Sequence, residues 1–118
     1  MVDIIVRYVG RKERPYLWEI NKEINIALSD NSILTIPKGF TTDFASVPKV
    51  FWSLIPPIGE ANISWIIHDY LYDTKDLRGR KFADKEMLYW MHKKGQDKLS
   101  SRVMYWSVRI FAKKWWNR

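Results

Sequence analysis

Cysteine is absent from this chain, which removes several chemistries at once: a disulfide framework, a thiolate zinc site and a thiol nucleophile. The absence fits a reducing compartment and makes cytoplasmic synthesis the expectation. Long apolar runs are also missing. Nothing approaches the roughly 20 residues that span a bilayer, and Met1-Val2-Asp3-Ile4-Ile5-Val6-Arg7 has no basic region ahead of a long apolar one. Neither a standard export signal nor a transmembrane span is expected. Glycine is scarce, five in 118 residues, and Lys38-Gly39-Phe40-Thr41-Thr42 lacks the glycine spacing of a Walker or dinucleotide loop. Nucleotide-dependent chemistry therefore has little support. Internal repeats and low-complexity segments are absent too. Acidic residues stop at Asp97.

The length allows one domain over 1–118 with a continuous core and no covalent or metal staple. The net charge of +7 makes this a basic protein and favours acidic partners, and its distribution is informative. Residues 1–59 carry seven Lys/Arg against six Asp/Glu, whereas 60–118 carry thirteen against seven, so the excess belongs to the C-terminal half.

Residues 1–38 read as β-rich, with strands over Asp3 to Val9, Tyr16 to Ile20, Glu23 to Leu28 and Ser32 to Pro37. Glu23 to Leu28 alternates polar and apolar, and Ser29-Asp30-Asn31-Ser32 is a polar turn that folds it back on Ile33 to Ile36. Arg11-Lys12-Glu13-Arg14 and Pro15 form an exposed connection. Residues 39–59 read as a structured loop followed by a short helix from Pro48 through Leu54, stopped by Pro56-Pro57. Residues 60–118 are helical: Glu60 to Tyr72, about Phe82 to Lys94 ended by Gly95, and from Asp97 almost to the C-terminus. Strands first and helices later give an α+β domain, an antiparallel sheet packed on a helical subdomain.

Chemistry concentrates at Trp65-Ile66-Ile67-His68-Asp69-Tyr70-Leu71-Tyr72-Asp73, where a His-Asp pair sits among large apolar residues. At helical spacing His68 and Tyr72 stack one above the other, with Asp69 about 100° round. Asp84 on the next helix and Asp43 in the loop are the expected acidic partners. His92, between Met91 and two lysines, reads as a surface residue. A neutral His68 held in one tautomer by Asp84 or Asp43 would be a general base for water, with Ser46, Thr42 and Tyr72 placed toward a substrate. Alternatively Asp69, His68, Asp43 and Asp84 form a mixed nitrogen and oxygen set suited to zinc, manganese or another divalent ion. Ser46 beside a histidine permits a serine triad, but Ala45-Ser46-Val47-Pro48 lacks the small-x-Ser-x-small elbow. The alternative is a purely structural network in which buried polar groups satisfy one another, with Asp84 serving the helix dipole.

Gly39-Phe40-Thr41-Thr42-Asp43-Phe44-Ala45-Ser46-Val47-Pro48, His68-Asp69-Tyr70-Leu71-Tyr72, Ala83-Asp84 and Met104-Tyr105-Trp106-Ser107-Val108-Arg109 resemble, in order and spacing, a domain-of-unknown-function family of tailed phages and prophages. The resemblance covers about residues 30 to 112. It implies a phage or prophage origin, synthesis in the host cytoplasm and possible incorporation into the virion, but no activity. The His68 segment is also similar to the His-Asp-x-Cys-Tyr helix of secreted phospholipases A2. That likeness implies a water-activating His68, a calcium-binding Asp69 and an orienting Asp84. Leu71 in place of the cysteine and the lack of a Gly-rich calcium loop make shared geometry a better reading of it than kinship.

On the last helix Leu99, Val103, Trp106 and Ile110 recur at helical spacing and are expected to face the core, with Arg102, Arg109, Lys113 and Lys114 on other faces. Basic and aromatic residues together also fit a membrane-surface helix or a nucleic-acid platform. Two functions therefore stand side by side. One is a small hydrolase-like His/Asp site, with or without a divalent metal. The other is a non-enzymatic virion or host-interaction module whose His/Asp cluster is structural.

Overall fold

A computed structural model describes residues 6–8, 18–42 and 63–117, with backbone alone for 6–8 and Trp18. The basic connection over 11–15, the loop with Asp43 and Ser46, the short helix expected over 48–54 and the expected helix start at 60–62 lie outside the described residues. The architecture is α+β, and the chain divides into two compact units, Met1–Phe44 and Ala45–Arg118.

The first unit is built from antiparallel strands. The alternation in Glu23 to Leu28 produces β3 (Ile24–Ala27), which pairs with β4 (Ile33–Ile36) in the register Ile24 to Ile36 and Ala27 to Ile33. Ile24, Ile26, Leu28 and Ile36 are buried, while Thr35 donates across the exposed face to Asn25 at 2.6 Å. Burying each of those aliphatic side chains contributes roughly 1.5–3 kcal/mol, enough to fix the register, because a one-residue slip would turn them all outward. The turn closes as its residue types dictate. Asn31 takes a left-handed φ of 68°, and Asp30 accepts from the amide and hydroxyl of Ser32.

A second sheet orders β1 (Val6–Tyr8), β2 (Trp18–Ile20) and β5 (Thr41–Thr42). Here the structure corrects the sequence reading, which made Thr41-Thr42 part of a loop. Gly39, at φ 96°, reverses the chain, and the Gly39 amide and Phe40 carbonyl bond to Ile20, so that Thr41 and Thr42 pair with Glu19 and Trp18. Two β-branched threonines gain ladder bonds that a loop would leave to water.

The second unit holds α1 (Ile63–Asp73), α2 (Arg80–Lys93), α3 (Lys98–Phe111) and the single turn α4 (Lys113–Trp116). Helix α1 has three isoleucines, which are poor helix formers, and is buried on almost every side: Ile63, Trp65, Ile66, Ile67, Leu71 and Tyr72 all lie in the core. Packing against α2 and α4, rather than propensity, holds it helical. Both α1 and α2 end in a reversal in which two amides reach back to the last turn. After α2, the amides of Gln96 and Gly95 bond to Met91 and His92 with Gly95 at φ 90°; after α1, those of Asp76 and Lys75 bond to Leu71 and Tyr72 with Lys75 at φ 49°. Helix α2 begins two residues earlier than its sequence pattern indicates, at Arg80.

Helix α3 starts where Asp97 caps it, the carboxylate accepting from the Ser100 amide at 2.9 Å. Its orientation reverses the expectation. Leu99, Trp106 and Ile110 are exposed and Val103 is only half-buried, whereas Ser101, Met104, Ser107, Val108 and Ala112 are buried. The helix also breaks at Ala112 instead of running on. Small residues at 101 and 112 let α3 approach α2 more closely than a Leu, Trp and Ile stripe would, and close approach satisfies both packing and the polar network described next.

Candidate functional site

Asp84 is the centre of a cluster that ties three helices together. It sits in the second turn of α2 with no exposed surface, which would be costly for a carboxylate without donors. Three side chains supply them. From α1, His68 Nε2 lies 2.7 Å from Oδ1 and the Tyr72 hydroxyl donates to the same oxygen at 2.6 Å; from α3, Arg109 Nη1 donates to Oδ2 at 2.8 Å. The four-residue spacing of His68 and Tyr72 puts their rings 4.3 Å apart, one above the other. Trp65 stands edge-on to His68, and Trp116 of α4 packs edge-on against Tyr72.

Arg80 extends the network. Its Nε donates to the Tyr72 hydroxyl at 3.0 Å, and Nη2 donates to the carbonyls of Val108 and Arg109 at 2.6 and 2.8 Å. A guanidinium thus closes the C-terminal end of α3, sharing the Val108 carbonyl with the Ala112 amide, at the helix end where the dipole favours a cation. One carboxylate and two arginines thereby connect α1, α2 and α3.

The electrostatics follow from this geometry. Burial opposes a charge on His68, but Asp69 and Asp84 together outweigh it and hold the imidazole above its ordinary 6.5. Burial likewise opposes ionisation of Asp84, and His68, Tyr72 and Arg109 outweigh it and hold the carboxyl below its ordinary 3.8. The two shifts describe one ion pair. Burial and the Asp84 carboxylate push the Tyr72 hydroxyl up, so it stays a neutral donor. His68 Nδ1 faces Asp69 Oδ1 at 3.7 Å, an ion-pair distance too long for a hydrogen bond. Both directions favour an imidazolium against a carboxylate over a neutral pair, with Nε2 held by Asp84, and an imidazolium donates protons rather than accepting them.

Of the residues singled out in the sequence, His68, Asp84 and Tyr72 meet, with Asp69 beside them. Thr42 is buried on β5 in the first unit, and Asp43 and Ser46 lie outside the described residues. His92 is exposed. Asp84 lies near the start of α2, as the helix-dipole reading has it, and its side chain is in addition buried in the network. Among the described residues no group of three His, Asp or Glu side chains is placed to share a metal ion. Arg80 and Arg109 escaped sequence reasoning. A signal existed for Arg80: it opens α2, where the dipole disfavours a cation, so its charge needs a partner elsewhere. Arg109, in the last turn of α3, suits its own helix dipole and carries no such signal.

Comparison with known proteins adds a family and no activity. A 28% identical relative, "Uncharacterized protein y4jT" of Sinorhizobium fredii (strain NBRC 101917 / NGR234), aligns over 111 residues, 92% of this chain and 32% of the relative. The chain thus spans about a third of that protein's length. No solved structure matches. The family model described as "Protein of unknown function (DUF1353)" matches residues 18–108, a stretch that includes β2 to β5, α1, α2 and most of α3, and the chain belongs to that family.

Proposed function

We propose that this chain is a phage- or prophage-derived interaction module in which the His68, Asp84, Tyr72, Arg80 and Arg109 network is a structural clamp, made in the host cytoplasm and directed at a virion or host component. The observation that carries the reading is the state of His68. It is fully buried, its Nε2 is held by Asp84 at 2.7 Å, and its surroundings favour the charged form. A general base needs a neutral ring with one nitrogen turned to the substrate. The phage element of the proposal rests on the motif resemblance at 39–48, 68–72, 83–84 and 104–109.

The rival reading is a hydrolase using His68 as base, with Asp84 and Asp43 beside it and Ser46, Thr42 and Tyr72 toward the substrate. It would require a neutral, reachable His68 or a divalent ion held by Asp69, His68, Asp43 and Asp84. Both are directly measurable. An NMR titration of the His68 imidazole should give a pKa above 6.5, and unfolding in EDTA and then in zinc, manganese, magnesium or calcium should give one melting temperature. A His68 that titrates below 6.5, or a metal that raises the melting temperature of the wild type but not of Asp69→Asn, would overturn the clamp in favour of hydrolysis. Phosphoester, ester and amide substrates would then be the first screen.

A further inference from the structure

Helix α3 has two apolar faces, and among the described residues one of them is buried and the other exposed. Ser101, Met104, Val108 and Ala112 turn inward and are fully buried. On the other side Leu99, Trp106 and Ile110 are 75%, 59% and 65% exposed, and Phe111 at the helix end is 51% exposed. With about 100° per residue the stripe of Leu99, Val103, Trp106 and Ile110 lies roughly 170° from the inward face, pointing straight away from the helical unit. A contiguous apolar stripe of this kind marks an interaction surface.

The charges beside the stripe identify what it meets. Lys98 and Arg102 form a ridge roughly 90° to one side of it, and Lys113 and Lys114 follow on α4 just beyond the break at Ala112; all four are exposed. No Asp or Glu follows Asp97. Two copies stacked stripe on stripe in antiparallel fashion would set this ridge against itself, cation facing cation. Size argues the same way. The exposed stripe offers on the order of 500 Å², short of the ~800 Å² per partner of a stable protein interface, and it is a convex ridge of one helix rather than a groove. A lipid surface has neither requirement. Such a helix lies in the headgroup plane with its apolar face inserted, its lysines and arginines at the phosphates and its tryptophan at the boundary.

We infer that α3, through Leu99, Val103, Trp106 and Ile110 with the flanking Lys98, Arg102, Lys113 and Lys114, docks this protein in the plane of an anionic phospholipid membrane. The inference rests on the interaction-module reading and names its partner. It commits to a lipid surface because aliphatic side chains supply the contact and phosphates complement the ridge.

Flotation of the full chain with vesicles of phosphatidylcholine alone, or with 30% phosphatidylserine (roughly the anionic content that polybasic surfaces sense), tests it. Partitioning should be at least tenfold stronger on the anionic vesicles and weaken as salt is raised, since exposed charges are screened. The double variant Leu99→Ser, Ile110→Ser and the charge reversal Arg102→Glu, Lys113→Glu should each lower it tenfold or more. Neither pair touches the Asp84 network, so circular dichroism and melting should match the wild type and show that the loss is one of docking. Binding that is equal on neutral vesicles, or unchanged in both variants, overturns the inference. So does a wild-type dimer in light scattering that Leu99→Ser, Ile110→Ser dissociates, which would make the stripe an interface between copies. Binding to duplex DNA, lost on charge reversal, with none to vesicles, would also overturn it. Absence of vesicle binding while His68 still titrates above 6.5 removes the lipid surface and leaves the clamp intact.

Discussion

Replacing Asp84 by Asn tests the network with almost no change of shape. The amide keeps the volume of the carboxylate but removes its charge and offers a donor where two oxygens accepted from His68, Tyr72 and Arg109 at 2.6–2.8 Å. At least one of those donors is then stranded, and His68 loses a partner that favours its charged form. Removing one member of a buried pair costs about 3–5 kcal/mol. Two features reduce this. The Arg109 side chain is 26% exposed and can turn to water, and His68 can shed its proton instead of remaining an uncompensated buried cation. A loss of about 2–4 kcal/mol follows. For a chain of this size that corresponds to a fall in melting temperature of roughly 10–15 °C. Urea unfolding should give the same loss with an unchanged slope, and a double-mutant cycle with His68→Gln should show coupling of at least ~1 kcal/mol. A melting temperature within ~3 °C of the wild type, or strictly additive variants, would mean that the cluster does not hold the helices together.

The same pair makes stability depend on pH, in two directions. The His68 pKa is raised, so its contribution is complete below about 6.5 and is lost as pH rises through the folded value; the Asp84 pKa is lowered, so its contribution is complete above about 3.8 and is lost as pH falls through the folded value. Melting temperature should therefore be highest between roughly pH 4 and 6.5 and decline on the alkaline side, a decline that Asp84→Asn abolishes; a wild-type maximum above pH 8 would contradict the ion pair. Arg80→Ala removes the donor to two α3 carbonyls and to Tyr72, and should cost about 1–3 kcal/mol, with faster amide exchange in the last turn of α3. Uniform exchange along α3 would show that Arg80 is not its cap. Lys75 holds a left-handed φ of 49° at the end of α1, so Lys75→Gly should raise stability by about 0.5–1 kcal/mol, whereas Gly95→Ala at φ 90° should lower it by about 1 kcal/mol although the added methyl would meet nothing within 4 Å. Opposite signs would refute the backbone argument.

The local pattern of residues determined a good deal by itself. Alternation over Glu23 to Leu28 and the turn types at Asp30-Asn31 define the hairpin, because a strand's two faces and a tight turn's left-handed residue are properties of a few neighbours. Asp97 and Gly95 mark helix ends for the same reason, and four-residue spacing stacks His68 on Tyr72. Asp84 could be singled out as a partner of His68, but not as a carboxylate shared among three donors, because Arg109 is 25 residues away and reaches it only once α3 crosses α2. The tertiary structure alone decided which face of α3 turns inward. Leu99, Val103, Trp106 and Ile110 are the more hydrophobic stripe, and on hydrophobicity alone they should be buried. Close helix packing and the reach of Arg109 to Asp84 and of Arg80 to Val108 require the face with Ser101, Met104, Val108 and Ala112 instead, and that requirement exists only when α1, α2 and α3 are together.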